Sequence, residues 1–110
     1  MIAPPANGFR ILIYGRYLAL LESRRLLLVS DGYRVNTVSD LKQFRYSVEQ
    51  ERPPYELFIL CHTVSEDERQ AIRVMALRTG TGLYQLERMV QPTRFINNVS
   101  EMLSANRKDA

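Results

Sequence analysis

The clearest pattern along the chain is a run of five consecutive apolar residues, Leu57 to Cys61, which follows two prolines and precedes a polar segment. A short apolar run with such borders is typical of a strand buried on both faces, as in a parallel sheet covered by helices. In sheets of this kind, ligands and chemistry collect just beyond the carboxyl ends of the strands. Here that end carries Cys61, His62 and Thr63, so we expect it to hold any functional site.

The chain before this run alternates between strand and helix patterns. Residues 9–14 and 34–38 are rich in β-forming side chains, which predicts two short strands. Between them, residues 17–30 carry leucines on one face of a helix, and Gly32 suits the left-handed position that ends it. The charged side chains of this helix are assigned away from its buried face: Glu22, Arg24 and Arg25.

Two further helices are predicted on either side of the apolar run. Ser39 or Asp40 can cap the first, and Ser65 with Glu68 forms a capping-box pattern at the start of the second. Gly80 is expected to end that helix. The resulting order, strand–helix three times over, indicates a parallel sheet with crossover helices on both faces.

The last part of the chain is short. Residues 82–90 admit two interpretations, a fourth strand or a helical turn, and Pro92 opens a final helix. Only about a dozen residues separate the last two helices, which is too few for another crossover helix and a fifth strand as well. We therefore predict an α/β fold with three layers and a sheet of four or five strands in the order 2-1-3-4.

Composition adds few constraints to this picture. The 110 residues suffice for one domain, which we place at residues 9–104, with a flexible leader at 1–8 and a tail at 105–110. The net charge of +3 is scattered along the chain, so nucleic-acid binding by this chain alone is not expected. The single cysteine excludes an internal disulfide and fits a reducing cytoplasm, and no apolar stretch has the length of a membrane span.

Several segments together resemble the receiver domain of response regulators, a flavodoxin-like (doubly wound) signalling module related to CheY. The likeness covers about residues 10–103 and rests on R-I-L-I, on L-L-E-S-R-R-L-L-L-V-S-D-G-Y-R-V and on P-Y-E-L-F-I-L. It implies a role in signal transduction or transcriptional control. Relative to that family, the crossover helix before a fifth strand, and that strand itself, are truncated or missing.

The chain departs from the family at the positions that carry phosphoryl transfer. The acidic pair that binds magnesium in receivers falls on Gly15 and Arg16, the acceptor aspartate on Cys61, and the family's lysine on Gln91. Phosphorylation of a carboxylate needs the carboxylate, a cation on oxygen ligands and a positive charge near the phosphoryl oxygens. We therefore predict a degenerate receiver that is not an enzyme, takes no phosphate, metal or cofactor, and works by protein–protein interaction.

An alternative is a small-anion or redox sensor that uses the crevice at the ends of the first and third strands. Arg16 could lower the pKa of the Cys61 thiol or bind an anion, and His62 and Thr63 could line the crevice. We favour the simpler interpretation, in which Cys61 is a small buried hydrophobe and Arg16 a surface residue. A Cys61–His62 dyad or metal site is disfavoured because adjacent strand residues point to opposite faces.

The shortened segment after the third helix predicts an uncovered sheet edge. Leu83, Tyr84, Leu86 and Met89 are the apolar side chains expected to be exposed there. Exposed edges and apolar patches are commonly covered by a partner. We therefore predict an interaction surface at these residues, for a protein partner or for a second copy in a homodimer.

Overall fold

The structure, a computed structural model, describes residues 9–50 and 55–108. The predicted leader, residues 1–8, and the two prolines before the third strand lie outside this part of the chain. In chain order, the elements are β1 (Arg10–Tyr14), α1 (Leu18–Ser30), β2 (Arg34–Val38), α2 (Leu41–Gln50), β3 (Leu57–Leu60), α3 (Glu66–Thr79), β4 (Gly82–Gln85) and α4 (Pro92–Lys108). The last helix thus continues into residues 105–108, beyond the predicted end of the domain.

The four strands form one parallel sheet in the order β2-β1-β3-β4. This confirms the predicted α/β, flavodoxin-like arrangement and its strand order. Residues 82–90, which admit two interpretations from sequence, form strand β4 up to Gln85 and then leave the sheet. Because no further strand follows β4 in the described residues, β4 and β2 are the two edges of the sheet.

The sheet separates two apolar layers because successive strand residues point to opposite faces. On one face, Ile11 and Ile13 of β1 pack in a cluster with side chains of α1 and α4. On the other face, Leu12 and Tyr14 pack with side chains of α2 and α3. All four residues of β3 are buried, as the apolar run predicted.

Local signals determine where the helices begin and end. Helix α1 stops in a Schellman motif, in which Gly32 adopts a φ of 98° and the N–H of Tyr33 donates to the carbonyl of Leu28. The capping box of α3 is present, with Ser65 and Glu68 bonded to each other's backbone, and Gly80 ends the helix in the left-handed region. These predictions are confirmed.

One assignment within α1 is wrong. The sequence pattern places Arg24 away from the buried face, yet only 4% of its surface is exposed. It lies between Leu21 and Leu28 on the same helical face, and its long side chain reaches inward to the carboxyl edge of the sheet.

Within residues 9–50 and 55–108, no helix combines the length and the apolar character needed to cross a membrane.

Candidate functional site

The carboxyl ends of β1 and β3 bring together the residues that the sequence pointed to. The N–H of Cys61 donates to the carbonyl of Tyr14 at 2.9 Å, which fixes the two strand ends side by side. The N–H of Arg16 donates to Oγ1 of Thr63 at 3.2 Å and joins the two following loops. We call Gly15, Arg16, Cys61, His62 and Thr63 the carboxyl-edge crevice.

Gly15 and Cys61 fill the centre of this crevice. A Cβ atom on Gly15 would lie 2.9 Å from both Cβ and Sγ of Cys61 and 3.2 Å from a methyl group of Leu21. Cys61 is only 1% exposed. The thiol therefore occupies the space next to β1, and a side chain at residue 15 would collide with it.

The guanidinium in contact with the thiol belongs to Arg24 rather than Arg16. Nη1 of Arg24 donates to Sγ of Cys61 at 3.1 Å, and Nη2 lies 3.7 Å from the sulfur of Met89. The guanidinium also lies over the Phe95 ring, 5.3 Å from its centroid. Burial raises the pKa of the Cys61 thiol, and the nearby Arg24 charge offsets this only in part.

A second buried arginine, Arg69, closes the crevice on the side of β4. Its guanidinium donates to the carbonyls of Cys61 at 3.0 Å, Val64 at 3.1 Å and Leu86 at 2.8 Å. These carbonyls follow the ends of β3 and β4. The carbonyl of Cys61 also accepts from the N–H of Val64, whereas Arg69 supplies the donor for the carbonyls of Val64 and Leu86. Arg69 is thus a structural bridge between two strand ends.

Arg16 is occupied by an ion pair with α3. Its Nη2 lies 2.5 Å from Oε2 of Glu68, which also accepts a hydrogen bond from the Tyr14 hydroxyl. Partial burial acts to raise the pKa of Glu68, but the hydrogen bonds from Arg16, Tyr14 and Ser65 outweigh it and lower the pKa to about 2. Burial and the bond to Glu68 raise the pKa of Tyr14, which remains a protonated donor.

His62 and Thr63 contribute little chemistry to the crevice. Both are half-buried, and Nδ1 of His62 is buried without a hydrogen-bond partner among the described residues, so it does not pair with the thiol. No group of three or more His, Cys, Asp or Glu side chains in residues 9–50 and 55–108 could hold a metal ion.

Gln91, the fourth residue matched to the receiver pocket, has no hydrogen bond to the crevice in the described part of the chain. It is exposed at the start of α4, where its carbonyl accepts from the N–H of Phe95 at 2.9 Å.

The predicted interaction residues differ in exposure. Leu83 and Tyr84 are half-buried on β4, and Met89 is 58% exposed. Leu86, in contrast, is only 2% exposed and packs in the core between the sheet and α4, so it cannot contact a partner directly. The ring of Tyr84 stacks on Phe95, and its hydroxyl accepts a hydrogen bond from Asn98.

Sequence reasoning misses two buried arginines, although the sequence carries a signal for each. Arg24 lies three residues after Leu21 and four before Leu28, and Arg69 lies three residues before Ile72. At this spacing both arginines belong to buried helical faces. Their charge favours an exposed position instead, because arginine side chains are mostly found at the surface.

The chemistry available here is limited. The thiol is sealed, Arg16 is neutralised by Glu68, and Arg69 is committed to backbone carbonyls. Comparisons of the sequence with protein-family models and with curated proteins found no match in either. The resemblance to receiver domains thus rests on short motifs and on the fold.

Proposed function

We propose that this chain is a degenerate receiver-like domain that acts in signalling or transcriptional control through protein–protein contact, without phosphorylation. The flavodoxin-like fold supports the receiver-like part of the proposal. The state of the crevice supports the loss of phosphorylation.

The single observation that carries the proposal is the filling of the crevice from within. At the end of β3, where a receiver holds its acceptor aspartate, Sγ of Cys61 accepts a hydrogen bond from Arg24 and leaves no room for a Cβ atom on Gly15. A phosphorylated carboxylate with its magnesium ion needs an open cage of oxygen ligands. The side chains here are packed and paired with one another instead.

The same geometry favours an interaction module over a small-anion or redox sensor. A sensor needs a free cation or a reactive thiolate at the surface. Arg16 is paired with Glu68, and burial raises the pKa of Cys61 above that of a free thiol. A free, buried thiol also suits a cytoplasmic location, where cysteines stay reduced.

The contact surface that we assign to this function is the β4 edge, with Leu83, Tyr84 and the exposed Met89 beside it. In this proposal, the function depends on the partner that the β4 edge binds. It does not depend on phosphorylation of a residue in the crevice.

Incubation of the purified chain with acetyl phosphate and Mg²⁺, followed by intact-mass measurement, tests the proposal. We expect no phosphoryl adduct, whereas a receiver with an intact aspartate, treated in parallel, gains one. A matched incubation with a thiol reagent at neutral pH is expected to label Cys61 at least about tenfold more slowly than the urea-unfolded chain. A phosphoryl adduct on the folded chain, or labelling of Cys61 as fast as a free thiol, contradicts the proposal.

A further inference from the structure

Strand β4 is hydrogen-bonded to a neighbouring strand on one side only. The N–H groups of Gly82 and Leu86 donate to the carbonyls of Glu56 and Leu60, at 3.2 and 2.8 Å, and so point toward β3. Because successive residues of a strand direct their backbone groups to opposite sides, the N–H and C=O groups of Leu83 and Gln85 point away from the sheet. Within the described residues, no hydrogen bond reaches these four groups.

The two edges of the sheet differ in how they are protected. Edge strands that must not associate usually carry charged side chains or proline. Strand β2 begins with the exposed Arg34, whereas the sequence of β4, Gly-Leu-Tyr-Gln, has neither a charge nor a proline. All four residues of β4 are half-buried, and none of them carries a charge that would repel a second strand.

The side chains of β4 hold the strand in place on both faces. On the α4 face, Tyr84 stacks on Phe95 at a centroid distance of 6.1 Å. On the α3 face, Gln85 accepts hydrogen bonds from Arg69 at 3.3 Å and Arg73 at 3.5 Å. An edge that is already ordered loses little conformational entropy when it binds.

We propose that β4 pairs with β4 of a second copy of this chain, antiparallel and centred on Tyr84. This inference rests on the proposed function and names its partner. In this register Leu83 of each copy faces Gln85 of the other, and each such pair exchanges two N–H···O=C bonds. Four hydrogen bonds thus join the two four-stranded sheets into one continuous sheet of eight.

The outward groups of β4 are complementary to those of a second copy. Leu83 and Gln85 lie on either side of Tyr84, and both have backbone groups that point outward. A rotation of 180° about Tyr84 places Leu83 of one copy opposite Gln85 of the other, as an isologous interface requires. At the rotation axis, the two Tyr84 residues form a non-hydrogen-bonded pair, in which the side chains lie close together. Their rings add an aromatic contact to the backbone bonds.

Proline variants at the two edges test which edge pairs. Gln85→Pro removes an outward N–H of β4 without affecting a bond to β3, and proline is tolerated at such edge positions. Thr37→Pro makes the same change on β2, and Gln85→Ala removes the side chain alone. By analytical ultracentrifugation at micromolar concentration, we expect dimers for the wild-type chain, Thr37→Pro and Gln85→Ala, and monomers for Gln85→Pro. A wild-type monomer, or a dimer that only Thr37→Pro disrupts, overturns the inference.

Cysteine variants test the register. The Cα atoms of a non-hydrogen-bonded antiparallel pair lie about 4.5 Å apart, within the range that a disulfide spans. Tyr84→Cys is therefore expected to form a disulfide-linked dimer on mild oxidation. Gln85→Cys is not, because its symmetry mate lies diagonally at about 7–8 Å or more. The native Cys61 is buried, and circular dichroism of the reduced variants checks their fold.

Crosslinking through Gln85→Cys but not Tyr84→Cys overturns this register. The proline comparison does not depend on these variants, so it still decides the inference if Tyr84→Cys fails to fold. A monomeric chain that also takes no phosphoryl group overturns only the pairing of two copies. A phosphoryl adduct contradicts the proposed function itself, so the two failures are distinguishable.

Discussion

Two arginine side chains at the carboxyl-edge crevice are buried almost equally but are satisfied very differently. Arg24, 4% exposed, contacts two sulfur atoms and an aromatic ring. Arg69, 8% exposed, donates to three backbone carbonyls. Neither forms an ion pair with a carboxylate in the described part of the chain. Burial of a charge is costly without strong partners, so the net contribution of each arginine depends on what accepts its hydrogen bonds.

Substitution of each arginine by methionine separates these two cases. We expect Arg24→Met to leave the free energy of unfolding unchanged or to raise it by about 1 kcal/mol, because a poorly compensated buried charge is removed. Arg69→Met is expected to lower it by about 2–3 kcal/mol, because buried carbonyl oxygens lose their donor. Urea unfolding followed by circular dichroism measures both values. Similar losses in the two variants contradict this distinction.

Glu68 connects the pH dependence of stability to the Arg16 ion pair. Its pKa in the folded chain is about 2, against an ordinary value of 4.5. Because the pKa is lower in the folded chain, the ionised form of Glu68 stabilises the fold. This contribution is complete above about pH 4.5 and is lost as the pH falls toward 2.

The variant Glu68→Gln keeps a side chain that suits the capping box but cannot ionise. We expect its unfolding free energy to lie below that of the wild-type chain at pH 5–7, and the difference to shrink as the pH falls toward 2. Urea unfolding of both proteins across this range measures the difference. A difference that stays constant with pH shows that the ion pair does not stabilise the fold.

At the scale of elements, the helices differ in how their first turns are satisfied. Helix α3 has the Ser65–Glu68 capping box and three acidic residues in its first turn. Helix α1 begins after Tyr17, which makes no side-chain cap, and its first turn contains no acidic residue. The first N–H groups of α1 therefore lack the side-chain acceptor that α3 has.

This contrast predicts opposite effects of substitution at the two caps. Tyr17 is 64% exposed and already has the extended backbone of a cap position, so Tyr17→Asp adds an acceptor and a favourable charge at little cost in packing. We expect it to raise the unfolding free energy by about 1 kcal/mol, whereas Ser65→Ala lowers it by about 1 kcal/mol. Thermal unfolding compares the two variants with the wild-type chain. A fall in Tm for Tyr17→Asp contradicts the prediction.

At the scale of the whole molecule, the central strands belong to both apolar layers at once. Ile11 and Ile13 face α1 and α4, while Leu12 and Tyr14 of the same strand face α2 and α3. Strand β3 divides its four buried residues in the same way. Neither layer can therefore lose its packing while the other keeps an intact sheet.

We expect unfolding to be a single cooperative transition. The near-ultraviolet signal of the tyrosines, with Tyr14 and Tyr55 in one layer and Tyr33 in the other, should change at the same urea concentration as the far-ultraviolet signal. Truncations on opposite faces of β1, Leu12→Ala and Ile13→Ala, should each shift both signals together. Separate midpoints for the two signals contradict a cooperative fold.

The sequence by itself determined the elements up to α3, their order and the ends of α1 and α3. Hydrophobic periodicity and capping act over a few neighbouring residues, so the local pattern alone assigns Gly32, Ser65 and Gly80 correctly. The absence of acidic side chains at Gly15, Arg16 and Cys61 likewise follows directly from the sequence, because these residues come at the predicted strand ends.

Only the tertiary structure decided which side chains meet. Arg24 and Cys61 are 37 residues apart in sequence, and Arg16 and Glu68 are 52 apart. Such contacts depend on the rotation of a helix about its axis and on the reach of long side chains, which no local pattern specifies. For the same reason Leu86 proved to be core rather than surface: its burial depends on α4, which follows it and packs against it.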